Sequence, residues 1–280
     1  MSEDSFPPFL HRYRPVEDLE KGYLREVLLE NKIYAPSPAL FNDPFDCKAR
    51  LQRSDDPRVW RRLLDRHLRK HEPSLGYAAR TKRITSIMSQ GLWRNCEVHA
   101  AVERDLQEYM NRCGILCLCE SGTVPLMWAH YASGHRGFCL RFRSQPETIF
   151  RQIERVEYSL EYPVPSLSGN IDVELHTLFQ TKAKWWEYEK EWRFIGNREG
   201  AGHRIFPAEA LSAVILGCRV SSEVRERVRE LVSLRPRPLN IFQAEPGLST
   251  FELELREIEG VVAQPQLQPD RNRASHGSAG

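Results

Sequence analysis

The stretch Lys184-Trp185-Trp186-Glu187-Tyr188-Glu189-Lys190-Glu191-Trp192-Arg193-Phe194 gathers three of the chain's six tryptophans and three carboxylates into eleven residues. At the strand period of two, Glu187, Glu189, Glu191 and Arg193 share one face, and Tyr188, Trp192 and Phe194 pack on the other with Lys190 among them. Ionised carboxylates spaced about 7 Å apart along a strand repel unless cations or a ligand face them. The flanking aromatics imply covered surface, so the expected setting is a cleft wall rather than a solvated strand face. Glu191, with Lys190 and Trp192 on either side to fix its strand, is the carboxylate best placed to carry chemistry.

Two other segments bring polar groups together with anchoring aromatics. Leu40-Phe41-Asn42-Asp43-Pro44-Phe45-Asp46 is a polar turn held between phenylalanines, a form suited to a site loop as well as to a structural turn. Val124 to Gly137 crowds Trp128, His130, Tyr131, His135 and Arg136 just before a predicted strand, as in a pocket wall. Hydrolase chemistry of the Ser-His type lacks its G-x-S-x-G elbow here. His130 and His135 lie five apart without an H-E-x-x-H frame. Cys113, Cys117 and Cys119 offer three thiols, with Cys96 or Cys139 as a fourth. The run Gly114 to Cys119 nevertheless reads as a buried strand with cysteine as apolar filler, and no metal site is expected.

These segments need a scaffold. Phe9 to Arg14 reads as a strand with His11 and Tyr13 on one face and Arg12 and Arg14 on the other. Leu19, Tyr23, Leu24, Val27 and Leu28 recur at helical spacing, and Lys32 to Ala35 is extended. From Pro57 to Cys113 the pattern is helical. Strands follow at Gly114 to Cys119, Phe138 to Phe142, Val156 to Ser159, Ala213 to Gly217, Asn240 to Ala244 and Phe251 to Arg256, with helices around Ile171 to Phe179 and Val224 to Val232. The expected fold is α+β: a mixed, largely antiparallel sheet with flanking helices and an inserted helical lobe. A single domain over residues 1–260 is expected, with the lobe at about 55–112. The Gln, Pro, Asn, Ser and Gly-rich end, 261–280, has nothing to bury and reads as a disordered tail.

A formal net charge of +2 over 280 residues argues against binding nucleic acid or membrane by bulk electrostatics. Locally the balance differs: nine basic residues between Arg58 and Arg83 face Asp65 and Glu72, an excess of +7. That lobe, 58–83, is a candidate nucleic-acid or acidic-partner surface, or a solvated helix face. No apolar run approaches a membrane span, the acidic start Met1-Ser2-Glu3-Asp4 is unlike a signal peptide, and seven scattered cysteines fit a reducing compartment. A cytoplasmic protein without membrane association is expected.

Phe41-Asn42-Asp43-Pro44-Phe45-Asp46, Met127-Trp128-Ala129-His130-Tyr131 running on through Gly137 to Phe142, and Lys184 to Arg193 together resemble the bacterial family catalogued as domain of unknown function 2971. A more distant resemblance is to the ADP-ribosyltransferase fold, in which an early Arg or His, a central Tyr or Ser and a late Glu enclose NAD. Arg12 or His11, Tyr131 and Glu189-Lys190-Glu191 match that order, although Tyr131 falls before its strand and not on it. The resemblance implies an NAD-using transferase with Glu191, Glu189 and Tyr131 as catalytic residues, and a nucleotide held by Arg12, His11, Asn42, Asp43, Trp128 and His130. The carboxylate would stabilise an oxocarbenium-like ion. Two rival readings are a metal-dependent nuclease using Asp43, Asp46 and Glu189, and a non-enzymatic module binding nucleic acid or protein.

Overall fold

The computed structural model describes residues 6–50, 56–144, 149–163, 171–196 and 199–258. The expected tail beyond 261 lies outside them. In chain order the elements are β1 (Phe9–Arg14), α1 (Glu17–Glu20), α2 (Tyr23–Leu29), β2 (Lys32–Ala35), α3 (Pro57–His71), α4 (Tyr77–Ser89), α5 (Cys96–Asn111), β3 (Gly114–Cys119), α6 (Pro125–Tyr131), β4 (Phe138–Arg143), β5 (Ile153–Arg155), β6 (Glu157–Ser159), α7 (Ile171–Gln180), β7 (Thr181–Ala183), β8 (Glu191–Gly196), β9 (Gly202–Ile205), β10 (Leu211–Leu216), α8 (Ser222–Ser233), β11 (Asn240–Pro246) and β12 (Leu253–Ile258). Local signals start the longer helices. Asp56 caps α3 ahead of Pro57, Asn95 caps α5 and Ser221 caps α8, each accepting a hydrogen bond from a first-turn amide.

Among the described residues, eight strands form one sheet in the order β12-β11-β10-β4-β1-β3-β8-β5. Only β10 and β11, joined through α8, pair in parallel within it, so the fold is α+β with a mixed, largely antiparallel sheet. Alternation along the strands sorts the core. Leu10, Leu116, Leu118, Phe138, Leu140, Trp192, Phe194 and Val214 pack on one face against α2 and α8. On the other face, Tyr13, Cys119, Cys139 and Ile215 pack around Trp128 of α6. Beside them Ile115 joins a cluster built by α3, α4, α5 and α7, with Trp60, Leu64, Leu106 and Phe179 at its centre. The helical insertion between β2 and β3 is thus seated on the sheet through its apolar stripe.

The sheet is not uniformly closed. Strands β1 and β4 pair along their whole length, from Phe9↔Arg143 to Arg14↔Phe138, whereas β1 meets β3 in register only at His11↔Cys119. Beyond that pair the two strands diverge. The amide of Ile115 finds its acceptor outside the sheet, in the carbonyl of Pro36 just past β2, and the Arg12 guanidinium donates to the Tyr34 carbonyl of β2. The gap between β1 and β3 is therefore lined rather than filled by Pro36 and the turn that follows β2.

One expectation is corrected. Residues 184–194 do not form a continuous strand: Lys184–Glu189 is a 3-10 helix, Lys190 is left-handed at φ 43°, ψ 57°, and the strand begins at Glu191. A strand would have stacked three carboxylates in one column. The turn instead sends Glu187 outward to Lys184 at 2.5 Å and leaves two carboxylates inside. The predicted opposition within β8 survives, with Trp192 and Phe194 on the face away from Glu191 and Arg193.

Gly137, before β4, has no room for a side chain: a β-carbon there would overlap the Arg14 carbonyl oxygen at the end of β1 and crowd Ala132. Gly137→Ala is expected to cost roughly 1–3 kcal/mol, as overpacking does, and to lower the urea midpoint with no change in the slope of the transition.

Candidate functional site

The charges of β8 converge on a buried cluster. Arg193, fully excluded from solvent, donates through Nη1 and Nη2 to the two oxygens of Asp46 at 2.9 and 2.6 Å. Its Nε and Nη2 reach the Glu191 carboxylate at 2.7 and 3.1 Å, and Nη1 also reaches the Phe179 carbonyl at the end of α7 at 2.8 Å. A planar guanidinium can hold two carboxylates and a carbonyl at once because its donors are fixed in a fork. Lys182 of β7 is the second cation. Its Nζ bridges Glu189 and Glu191, the latter at 2.9 Å, and stands 5.1 Å from the ring centre of Trp186.

Backbone geometry puts these groups together. Asp46 is delivered by the predicted polar turn, in which the Asp43 carboxylate accepts from the Phe45 amide at 2.8 Å. Tyr162 and Gln107 clamp that turn through its carbonyls. Glu189 and Glu191, which would be parallel neighbours on a strand, are turned about the left-handed Lys190 so that both meet one ammonium. The Glu191 amide donates to the Tyr158 hydroxyl at 2.8 Å. The Tyr131 hydroxyl, at the end of α6, donates to Glu189 at 2.7 Å.

Three carboxylates thus share two cations, and the imbalance falls on Glu189. Burial acts to raise the Glu191 carboxyl, but Arg193 and Lys182 outweigh it and hold the group well below the usual carboxylate range. Burial opposes charge on Lys182, and Glu191 with Glu189 overcome it, so the ammonium persists far above its ordinary range. Glu189 is pushed up to about 6 by burial and by the Glu191 charge, against the pull of Lys182. Burial, and the charge of Glu189 beside it, raise the Tyr131 hydroxyl, which remains a donor at neutral pH.

This cluster forms one wall of a cavity of about 350 Å³ that occupies the gap between β1 and β3. His11, Arg12, Tyr13 and Arg14 line it from β1, Ile115, Cys117, Leu118 and Cys119 from β3, and Met127, His130 and Tyr131 from α6. Phe41, Asn42 and Asp46 close it from the turn, and Lys182, Glu189 and Glu191 supply the charged wall. Arg12 is buried, with Nη2 on the Tyr34 carbonyl and Nη1 without a hydrogen-bond partner. His11 is buried with its Nδ1 unpartnered. Burial and the charge of Arg141 lower it to about 4, so the ring is neutral at physiological pH.

Of the residues singled out from the sequence, Glu191, Glu189, Tyr131, Arg12, His11, Asn42 and His130 all stand on this cavity. Trp128 and Asp43 do not. Trp128 is fully buried with its Nε1 on the Gly122 carbonyl at 2.9 Å, and Asp43 is the acceptor that shapes the turn. Lys182 and Tyr158 escaped the sequence reading because neither lies in a recognisable pattern; a lysine just before an acid-rich turn was the available signal. The basic lobe also differs from its linear count. Arg58, Arg69, Lys70, Arg80 and Arg83 all pair with carboxylates, among them Asp56, Asp105 and Glu108 from outside the counted window. Arg66 lies over the Tyr109 ring.

Two outcomes follow from the charge count. Arg193→Met leaves Asp46 and Glu191 buried with only Lys182 opposite, and is expected to cost about 3–5 kcal/mol in chemical denaturation. For Glu189 the sign runs the other way from an acid whose ion pair outweighs its burial, such as Glu191. Its folded value of about 6 lies above the ordinary 4.5, so its contribution is fully present below pH 4.5 and is lost as pH rises through 6. The stability of wild type relative to Glu189→Gln should therefore fall between pH 4 and 7, by on the order of 2 kcal/mol. A flat difference across that interval would mean that Glu189 does not titrate there.

Among the described residues, no helix is long and apolar enough to cross a membrane. No curated protein and no solved structure matches the chain. Residues 127–194, from Met127 of α6 to Phe194 of β8 and hence including Tyr131, Lys182, Glu189, Glu191 and Arg193, match the model of a family described as protein of unknown function, DUF2971.

Proposed function

We propose that the chain is an enzyme that binds a nucleotide in the gap between β1 and β3 and transfers ADP-ribose from NAD, with Glu189 as its reacting carboxylate. The observation that carries this reading is a single cavity lined both by Glu189, poised at about 6, and by Arg12, whose buried Nη1 has no hydrogen-bond partner. A carboxyl tuned towards neutrality in a cleft is suited to proton transfer, and an orphaned guanidinium N–H awaits an acceptor such as a ribose or phosphate oxygen. The cavity lies in the range of ligand pockets, about 300–1,000 Å³, at the size of one nucleoside half, with the remainder of a dinucleotide extending through its mouth.

The roles follow from the contacts. The C1′–N bond breaks with its electron pair leaving on nicotinamide, and the bond from an acceptor oxygen or nitrogen to C1′ forms. Glu189 takes the acceptor's proton, and its charge, with that of Glu191 behind Lys182, favours the oxocarbenium-like transition state. Tyr131 orients Glu189 through the 2.7 Å bond and presents its ring to the ligand. Glu191 is then the electrostatic anchor, too firmly held by Arg193 and Lys182 to move a proton.

The nuclease alternative requires Asp43, Asp46 and Glu189 to be free to take a metal ion; both oxygens of Asp46 are engaged by Arg193, those of Glu189 by Tyr131 and Lys182, and Asp43 shapes the turn away from the cavity. The test is a pair of measurements on wild type and Glu189→Gln: melting temperature with NAD, and nicotinamide release. NAD should raise the melting temperature of both proteins. Release should fall more than a hundredfold in the variant, a loss of about 3 kcal/mol or more in the barrier. A wild-type protein that neither gains stability with NAD nor releases nicotinamide would sink the transferase reading and favour a binding module.

A further inference from the structure

Away from the cavity, three potential metal ligands meet between two helices of the inserted lobe. His67 and His71 lie four residues apart in the last turns of α3 and so share one face, with ring centres 4.5 Å apart. Opposite them, from α5, the Asp105 carboxylate presents one oxygen to His67 Nδ1 at 2.5 Å and the other to His71 Nε2 at 2.8 Å. All three donor atoms lie within 4.8 Å of one another. We propose that His67, His71 and Asp105 form a binding site for a divalent transition-metal ion, of which zinc is the representative.

Zinc takes imidazole nitrogen and carboxylate oxygen at about 2.0–2.2 Å, which sets tetrahedral ligands about 3.3 Å apart. The His67–Asp105 and His71–Asp105 separations are slightly shorter than this, so an ion needs the carboxylate to withdraw by less than about 1 Å, a side-chain rotation. Two imidazoles with one carboxylate favour zinc, nickel, copper or iron over magnesium and calcium, which prefer all-oxygen sites. The helices that carry the ligands are already locked by Leu64, Leu68 and Leu106, so the site is preorganised. His71 ends α3 and is exposed, which leaves the remaining coordination positions to water.

Lys70 is the competing cation. Its Nζ donates to Asp105 at 2.6 Å and to Glu108 at 2.5 Å. On metal binding it keeps Glu108 and gives up Asp105, and the protons shared between the rings and the carboxylate leave to solvent.

The test uses the full chain, stripped with chelator. Zinc at a hundredfold excess over its dissociation constant should raise the melting temperature by roughly 5 °C, and magnesium at the same concentration should not. His67→Gln with His71→Gln should abolish the rise. Should that pair fail to fold, the single His71→Gln exchange at the exposed end serves, with cobalt(II) absorption as the readout: wild type develops visible d–d bands and the variant loses them. Lys70→Met, by removing the competitor, should bind zinc more tightly. Absence of any zinc effect on wild type, or a full effect retained in the histidine variants, would overturn the proposal.

Discussion

Arg193 organises the interior of this protein. Removing a guanidinium from water is costly unless its N–H groups are used, and those of Arg193 are shared among Asp46 of the turn, Glu191 of its own strand and the carbonyl of Phe179 in α7. Three segments distant in sequence are thereby fastened at one point. The same bonds decide the electrostatics of the cavity wall. With Asp46 and Glu191 committed to Arg193, Lys182 divides between Glu191 and Glu189, and Glu189, which shares its cation with Glu191, is the carboxylate that the Tyr131 hydroxyl also holds.

The second constraint is topological. A sheet that pairs fully through β4–β1 and again through β3–β8 but hardly between β1 and β3 has an interior seam. Backbone groups along a seam must be satisfied elsewhere: the Ile115 amide of β3 donates to the Pro36 carbonyl, beside Tyr34, whose carbonyl takes the Arg12 side chain. The seam lets residues from opposite faces of the sheet share one space: Arg12 comes from the face of α2, and Glu191 from the face of α7 and Trp128. An intact sheet would have kept them apart.

The helical lobe follows a separate logic. Its apolar stripe joins it to α7 and β3, and its basic surface is offset by carboxylates on the same helices and on α5. His67, His71 and Asp105 are brought together by the parallel, side-by-side seating of α3 and α5, in which Trp60 meets His99 and Lys70 meets Glu108, a consequence of the packing of Leu64, Leu68 and Leu106.

By itself the sequence determined the elements and the polar segments. Alternation in Phe9 to Arg14 and Gly114 to Cys119, helical spacing in Leu19 to Leu28 and from Pro57 onward, and punctuation by Pro and Gly are local properties, and local sterics and burial read them directly. The Asn42-Asp43-Pro44 turn and the polar-aromatic segment Trp128 to Tyr131 ahead of β4 were legible for the same reason. Only the tertiary structure decided which charges meet. The strand expected through Glu187 and Glu189 gave way to a 3-10 turn and a left-handed Lys190, because the energy of a buried carboxylate depends on where its cations lie, and Asp46 and Lys182 come from far along the chain or from an unmarked position. The spacing of His67 and His71 was visible in the sequence, but their partner Asp105 is 34 residues beyond His71. Pairing across such a distance is a property of helix packing, which no local pattern encodes.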